Sequence, residues 1–304
     1  MRALILGASG FLGSYAGYAL QKAGWRVTGA SRSALRGYSS SIGLDSLRDV
    51  SVAIRSEPWD LVMNCLAIAN HEACEQDPAS ARLVNHELPG IWADEAGQNG
   101  SYFIHFSTDA VFDGDSIDLY DEQDPTGGSS VYGKTKRDGE LAVLVANPQA
   151  LVFRINFFGW SHNGGRGILD FFANGLASGI AMTSFRDYVV SSLYVGHLFE
   201  LALGALSANG SGLYHLVSST PLSKYDFGVT VARAMGADSD LIQPGLLSDS
   251  PTLSNRGHNL GLSVSKLENL VGRPIPSTPE GIQMALDERG AVMDYFGSGI
   301  IPGE

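Results

Sequence analysis

LILGASGFLGSYAG, residues 4–17, decides how this chain folds. It opens inside a short apolar run, ALILG (3–7), with no polar alternation, as a parallel strand buried on both faces requires. It closes inside SYAGYALQKAG (14–24), which has helical spacing and stops at Gly24. Between them stands GxxGxxG, at Gly7, Gly10 and Gly13. A strand that turns sharply into a helix aims backbone N–H groups outward, and these bind a pyrophosphate where no side chain blocks the approach. The same glycines also suit a tight turn that binds nothing. A buried strand before the motif and a helix after it favour a dinucleotide.

The pattern then repeats. WRVTGASR (25–32), WDLVMNCLA (59–67), SYFIHFSTDAVF (101–112) and ALVFRINFFG (150–159) read as further strands. Helical stretches separate them: 46–58, 78–100 with a break at Pro89, and 130–147. Strands alternating with helices give an α/β fold, a Rossmann-type doubly wound parallel sheet that binds ligands at the carboxyl ends of its strands. Past the glycine-rich loop GWSHNGGRG (159–167) the regularity falls. Helices are expected at 170–179, 192–210 and 224–236, a strand at 212–218, and the tail around NLGLSVSKLENLVG (259–272) is expected to pack across the cleft. Residues 1–160 therefore form a dinucleotide-binding domain. Residues 161–304 form mainly a smaller substrate-binding region, with segments returning to the first domain.

Composition narrows the partners. The chain has 304 residues, 44% hydrophobic and 17% charged, with a net charge of −12. That suits a soluble globular protein, and a surface so acidic repels nucleic acid and anionic membrane. Two cysteines, Cys65 and Cys74, make neither a disulfide framework nor a CxxC site. No signal-peptide pattern opens the chain, and no apolar run reaches the roughly 18 residues that span a bilayer. A cytoplasmic protein is expected.

The end of the second strand selects the cofactor. An acidic residue there would bond the ribose 2′-OH of NAD, but this chain offers Ser31 and Arg32. A hydroxyl and a guanidinium suit a 2′-phosphate, so NADP(H) is favoured over NAD(H). A solvated surface arginine is the alternative for Arg32. Asp45 has two readings, an acceptor for the adenine amino group or a cap for the helix beginning near Ser46.

VYGKTKRDGE (131–140) places Tyr132 and Lys136 one turn apart on one helix face. A phenol ordinarily titrates near 10, and a neighbouring ammonium is expected to lower that value, so Tyr132 becomes a proton donor to a carbonyl oxygen. Upstream, FSTDAVFDG (106–114) ends a strand at the cleft. Thr108 is expected to bond the same oxygen, with Ser107 as the alternative hydroxyl.

GASGFLG, STDAVFDG and YGKTKRDGE together resemble the extended short-chain dehydrogenase/reductase superfamily, and within it the dTDP-4-dehydrorhamnose reductases. NCLAIANHEACEQDP (64–78), VNHELPG (84–90), FRINFFGW (153–160) and GLYHLVSSTPLSKYDF (212–227) extend the resemblance over most of the chain. It implies a 4-keto-6-deoxy nucleotide-sugar substrate, a role in carbohydrate biosynthesis, and a catalytic set of Thr108, Tyr132 and Lys136, with Lys136 also holding the nicotinamide ribose. By the same resemblance Phe11 and Leu12 join the phosphate loop, and Leu66, Ala67 and Ile68 line the cofactor. Thr108, Asp109 and Phe157 fall at substrate-contacting positions, and Arg154 and Asn156 lie on the strand end beside them as further substrate-binding candidates. The chain departs from that family at Ala110, where a tyrosine is usual, at Phe157, and at Arg256-Gly257, where Arg-Pro is usual.

Related chemistries remain. A dehydratase of this superfamily needs a glutamate after Thr108-Asp109, and Ala110 stands there. An epimerase needs no extra side chain and stays open. A non-catalytic NADP-binding regulatory subunit would be expected to lack the catalytic groups. His71, His86 and His105 are not at metal-ligand spacing, and structural or surface roles are expected for them, with no metal. The acidic segment 113–125 reads as a solvated loop over the cleft. The apolar run 193–206 is most simply a core helix, with a homodimer surface as its alternative.

Overall fold

The computed structural model describes residues 1–33, 35, 38–162, 165, 167–249 and 257–298. Arg256 of the Arg256-Gly257 pair, and Asn163, Gly164 and Arg166 of the glycine-rich loop, lie outside the described residues. Seven strands form one sheet: β1 (Arg2–Leu6), β2 (Arg26–Ser31), β3 (Ser40–Gly43), β4 (Leu61–Asn64), β5 (Tyr102–Thr108), β6 (Leu151–Ile155) and β7 (Gly212–Leu216). Their order is β7-β6-β5-β4-β1-β2-β3, and every pairing is parallel. The chain runs from β1 to one edge, then returns to lay β4 on the other side of β1. That reversal opens a crevice at the carboxyl ends of β1 and β4, where open α/β sheets bind ligands.

The uninterrupted apolar run of β1 follows from burial on both faces. Ala3 and Ile5 enter a core shared with Tyr15, Leu20, Leu198 and Phe199, whereas Leu4 and Leu6 enter a second core with Trp59, Trp92 and Val143. Helices α1 (Phe11–Lys22) and α5 (Val195–Ser207) supply the first face. Helices α2 (Arg48–Arg55), α3 (Leu88–Gln98) and α4 (Val131–Ala146) supply the second. The apolar run 193–206 is thus a core helix: Val195, Leu198, Phe199, Leu201, Ala202 and Ala205 are buried. Full burial of such a side chain contributes about 1.5–3 kcal/mol. No helix of the described residues is long and apolar enough to cross a membrane.

Three departures from the sequence reading have local causes. β3 was not foreseen, because SSIG has little apolar pattern and pairs only at the sheet's edge. The stretch expected to be helical over 46–58 is helical only over Arg48–Arg55, where the Asp49 carboxylate accepts the Asp45 and Ser46 N–H groups at 2.8 and 2.6 Å. The stretch 78–100 does not break at Pro89. It widens just before, over Leu83–Glu87, where the Leu88 N–H reaches back five residues to the Leu83 carbonyl. Pro89 has no N–H to give to the Asn85 carbonyl. That carbonyl instead faces Gly139 of α4, where a Cβ would come within 2.1 Å of it.

This close approach predicts an asymmetry between two glycines. Gly139→Ala is expected to lower unfolding stability by about 1–3 kcal/mol through overpacking. Gly290→Ala, at a helical position with nothing within 4 Å of the new methyl, should be neutral or slightly stabilising. Urea unfolding of both variants checks this.

Candidate active site

At the end of β1 the chain turns through Gly7 at φ 77°. The Gly7 and Ala8 N–H groups bond the Ala30 carbonyl at 3.0 and 3.2 Å, and the Gly10 N–H bonds the Gly7 carbonyl at 3.0 Å. α1 begins at Phe11 with Gly10 as its cap residue and no side-chain cap. The first N–H groups of a helix have no partner within it, and here they start at the crevice. Gly10, Phe11 and Leu12 line the cleft, whereas Gly7 and Gly13 work behind it. A Cβ on Gly13 would lie 2.3 Å from the Gly7 carbonyl, so only glycine lets the helix start this close to the turn. Beneath the turn, the Tyr38 hydroxyl lies 3.0 Å from the Ala8 carbonyl and 2.8 Å from that of Gly13. Sequence reading missed this tie, since nothing in 32–45 marks Tyr38 as facing the turn.

The expected cofactor-selecting residues divide. Arg32 is exposed just past the end of β2, but Ser31 is buried and its hydroxyl donates to the Ser33 carbonyl. Asp45 is exposed, and it does not cap α2, whose start has no side-chain cap; the Asp49 carboxylate instead accepts the N–H groups of Asp45 and Ser46 just before the helix. Beyond β4, Leu66 and Ala67 line the cleft. Ile68 does not; both of its backbone polar groups bond the Asn85 side-chain amide, at 2.9 and 3.0 Å.

α4 carries the central pair. Its cap, Ser130, accepts the Gly133 N–H at 3.0 Å. A Cβ at Gly133 would fall 2.1 Å from the Ala110 carbonyl, so the helix start is pressed onto the loop that follows β5. Tyr132, Lys136 and Thr108 then share one cleft of about 630 Å³ with Gly10, Phe11 and Leu12. Among its neighbours, the Thr108 side chain favours the Tyr132 phenolate. Thr108 in turn donates to Asp109 Oδ1 at 3.1 Å and accepts the Ala110 N–H at 3.2 Å. Ser107, the alternative hydroxyl, is committed elsewhere and donates to Glu140.

The electrostatics correct one expectation. Lys136 does not bring the phenol down here. Burial comes first and raises Tyr132, the Asp109 carboxylate adds to the rise, and the Thr108 side chain opposes it. Lys136 is itself 1% exposed. Burial lowers its ammonium from the usual 10.5 to about 8, against the pull of Glu140. Its Nζ donates to the Phe106 carbonyl at 2.6 Å and lies 3.3 Å from His105 Nε2.

On the opposite wall, Asn156 Nδ2 donates to Asp109 Oδ2 at 2.6 Å, and Ser192 holds the other end of that amide at 2.5 Å. Asp109, Asn156 and Phe157 line the cleft. Arg154 does not. It is buried beneath, with Nε and Nη2 at 3.0 and 2.8 Å from the two oxygens of Glu140, and it lies over the Phe112 ring at 4.8 Å. A guanidinium on a buried strand needs a carboxylate, and Glu140 provides it. Burial raises the Asp109 carboxyl, against Asn156, Thr108 and Lys224.

Residues the sequence did not single out also line the cleft. His71, expected to be structural or on the surface, packs its ring against Tyr132, with centroids 4.7 Å apart. Lys224 and Tyr188 enter from the later part of the chain, the ammonium 5.6 Å from the ring centre. Lys224 lies in SKYDF, inside a stretch resembling the family, and its charge was the available signal. From the acidic segment Asp113 reaches the cleft, where its Oδ1 accepts the Tyr120 hydroxyl.

The profile of the RmlD substrate binding domain matches residues 1–290. The chain is 30% identical over 288 residues to the probable low-salt glycan biosynthesis reductase of Haloferax volcanii, covering 93% of this chain and 96% of that protein. It is 28% identical over 295 residues to methionine adenosyltransferase 2 subunit beta of Pongo abelii, covering 90% and 84%. Among solved structures, a dTDP-4-dehydrorhamnose reductase of Bacillus anthracis in complex with NADP superposes with a TM-score of 0.82 at 19% identity, over 94% of this chain and 99% of that one.

The buried lysine leaves a signature in stability. Between about pH 8 and 10.5 the unfolded chain keeps a proton at Lys136 that the folded chain has released, so unfolding stability should rise across that window. Lys136→Met is expected to be at least as stable as the parent at pH 7 and to lose this contribution to the rise. Urea unfolding at pH 7 and 10 measures it.

Proposed function

The chain belongs to the RmlD substrate binding domain family, that of the dTDP-4-dehydrorhamnose reductases, and on that premise we propose that it is an NADPH-dependent reductase of a 4-keto-6-deoxy nucleotide sugar. One observation carries the reading: Thr108, Tyr132 and Lys136 open onto the same cleft as the start of α1. The uncapped α1 terminus fits a pyrophosphate, because the residues before it are glycine where a side chain would intrude. Gly10, Phe11 and Leu12 would hold the pyrophosphate, Leu66 and Ala67 would pack beside the dinucleotide, and Arg32 would favour a 2′-phosphate. In this reading residues 1–160 hold the dinucleotide, and 161–304 complete the substrate side through Tyr188, Lys224 and Leu260.

Bound NADPH supplies a hydride to the ketone carbon. The protein's share is the proton and its placement. Tyr132 donates its hydroxyl proton to the ketone oxygen as negative charge develops there, and burial keeps the phenol protonated until then. Thr108, whose one hydroxyl proton goes to Asp109 here, would turn that proton to the same oxygen once substrate enters. Lys136 in its ammonium form offsets charge left on the phenolate. Asp109 and Asn156 hold each other on the substrate wall, where they can bond sugar hydroxyls. Lys224 places a cation at the cleft, suited to a diphosphate.

The whole-length likeness to methionine adenosyltransferase 2 subunit beta motivates a second reading, a regulatory NADP-binding subunit. The presence of all three groups Thr108, Tyr132 and Lys136 favours the enzyme. NADPH oxidation with a panel of 4-keto nucleotide sugars decides. Turnover supports the reductase, a converted sugar with no net NADPH consumption supports an epimerase, and binding without conversion supports the subunit. Tyr132→Phe is expected to lose about 10²–10⁴ of kcat while NADPH affinity, read by fluorescence titration, stays within a few-fold of the parent. An unchanged kcat would remove Tyr132 from the reaction.

A further inference from the structure

Asn64 and His105 are register partners at the carboxyl ends of β4 and β5, directly beneath the cleft. Asn64 Oδ1 accepts the Leu66 N–H at 3.0 Å, which turns the amide nitrogen to His105 Nδ1, also at 3.0 Å. An amide NH₂ only donates, so Nδ1 must present its lone pair. The ring is fully buried and its proton affinity falls well below the usual histidine range, so it is neutral and its one proton sits on Nε2. Nε2 faces Lys136 Nζ at 3.3 Å. An ammonium would meet that N–H with another N–H, whereas an amine meets it with a lone pair and still donates to the Phe106 carbonyl.

We propose that His105, oriented by Asn64, is a positioning residue that sets the charge state of Lys136 by donating its Nε2–H to the amine. The other groups around Nζ come from each packed element. Cys65 follows β4 with its thiol kept protonated by burial, and Tyr132 and Glu140 flank Lys136 on α4. Glu140 favours the ammonium, but both its oxygens are engaged by Arg154 and one of them also by Ser107. His105 is therefore the neutral donor that opposes it. The functional consequence rests on the reductase reading. If the ammonium supports the phenolate, turnover falls as pH rises through the point where Lys136 discharges, and His105 places that point.

The test uses the full chain with ¹⁵N-histidine and ¹³C-lysine, Lys136 being assigned by its absence in Lys136→Met. At pH 9 the His105 ring is expected as the Nε2–H tautomer. In His105→Phe the Lys136 ¹³Cε titration is expected to move up by roughly half to one pH unit, the size of one net hydrogen bond, and the alkaline limb of kcat should move with it. An Nδ1–H tautomer, or an unmoved midpoint in folded His105→Phe, overturns the proposal. Should that variant fail to fold, the tautomer of the parent decides alone. Neither spectroscopic readout needs a substrate, so a failure here is separate from a failure to oxidise NADPH.

Discussion

A single buried carboxylate, Glu140, holds helix α4 against the sheet. It accepts two bonds from Arg154 of β6 and one from Ser107 of β5, so one side chain ties the helix to two adjacent strands. Taking such a pair out of water is costly, and bidentate geometry with a third hydrogen bond from Ser107 is what offsets the cost. The helix can seat this deeply because Gly133 and Gly139 remove side chains where the Ala110 and Asn85 carbonyls press on it. Lys136 and Tyr132 lie about one and two turns before the clamp, and their positions in the cleft follow from it. The final Glu of VYGKTKRDGE thus fixes the helix that carries its Tyr and Lys.

The same depth sets the charges. A phenol and an ammonium carried into an enclosed floor are both pushed toward their neutral forms, so Tyr132 rises and Lys136 falls. Asp109 also rises, held by Asn156 and Thr108 rather than by a direct ion pair. The stability lost by burying Lys136 is the cost of that arrangement.

Local patterns made much of this legible. The 3–7 run announced a strand buried on both faces, GxxGxxG announced the turn, and YxxxK announced two side chains on one face. What escaped depends on contacts between residues far apart in sequence. Arg154 looked like a substrate contact because it lies on the strand end beside positions that resemble the family's substrate contacts, and its partner Glu140 could be identified only once β6 and α4 were placed side by side. Tyr38 and Asn85 are structural ties to backbone groups, which leave no periodic signal. His71 and Lys224 reach the cleft from the first residues of two helices far apart in sequence. The expected lowering of the phenol failed because i, i+4 spacing reveals proximity but not burial, and burial dominates here.

The central claim is that the Glu140 clamp sets the position of the helix that carries Tyr132 and Lys136. The most direct measurement compares stability and kcat for Glu140→Leu, Arg154→Met and the double variant. Each single change leaves a buried group without its partner and should cost about 3–5 kcal/mol, whereas the double variant should return to within about 1 kcal/mol of the parent. Its kcat should nevertheless remain at least about tenfold down, because apolar packing restores stability without restoring the helix position. A double variant that turns over at the parent's rate would contradict the account.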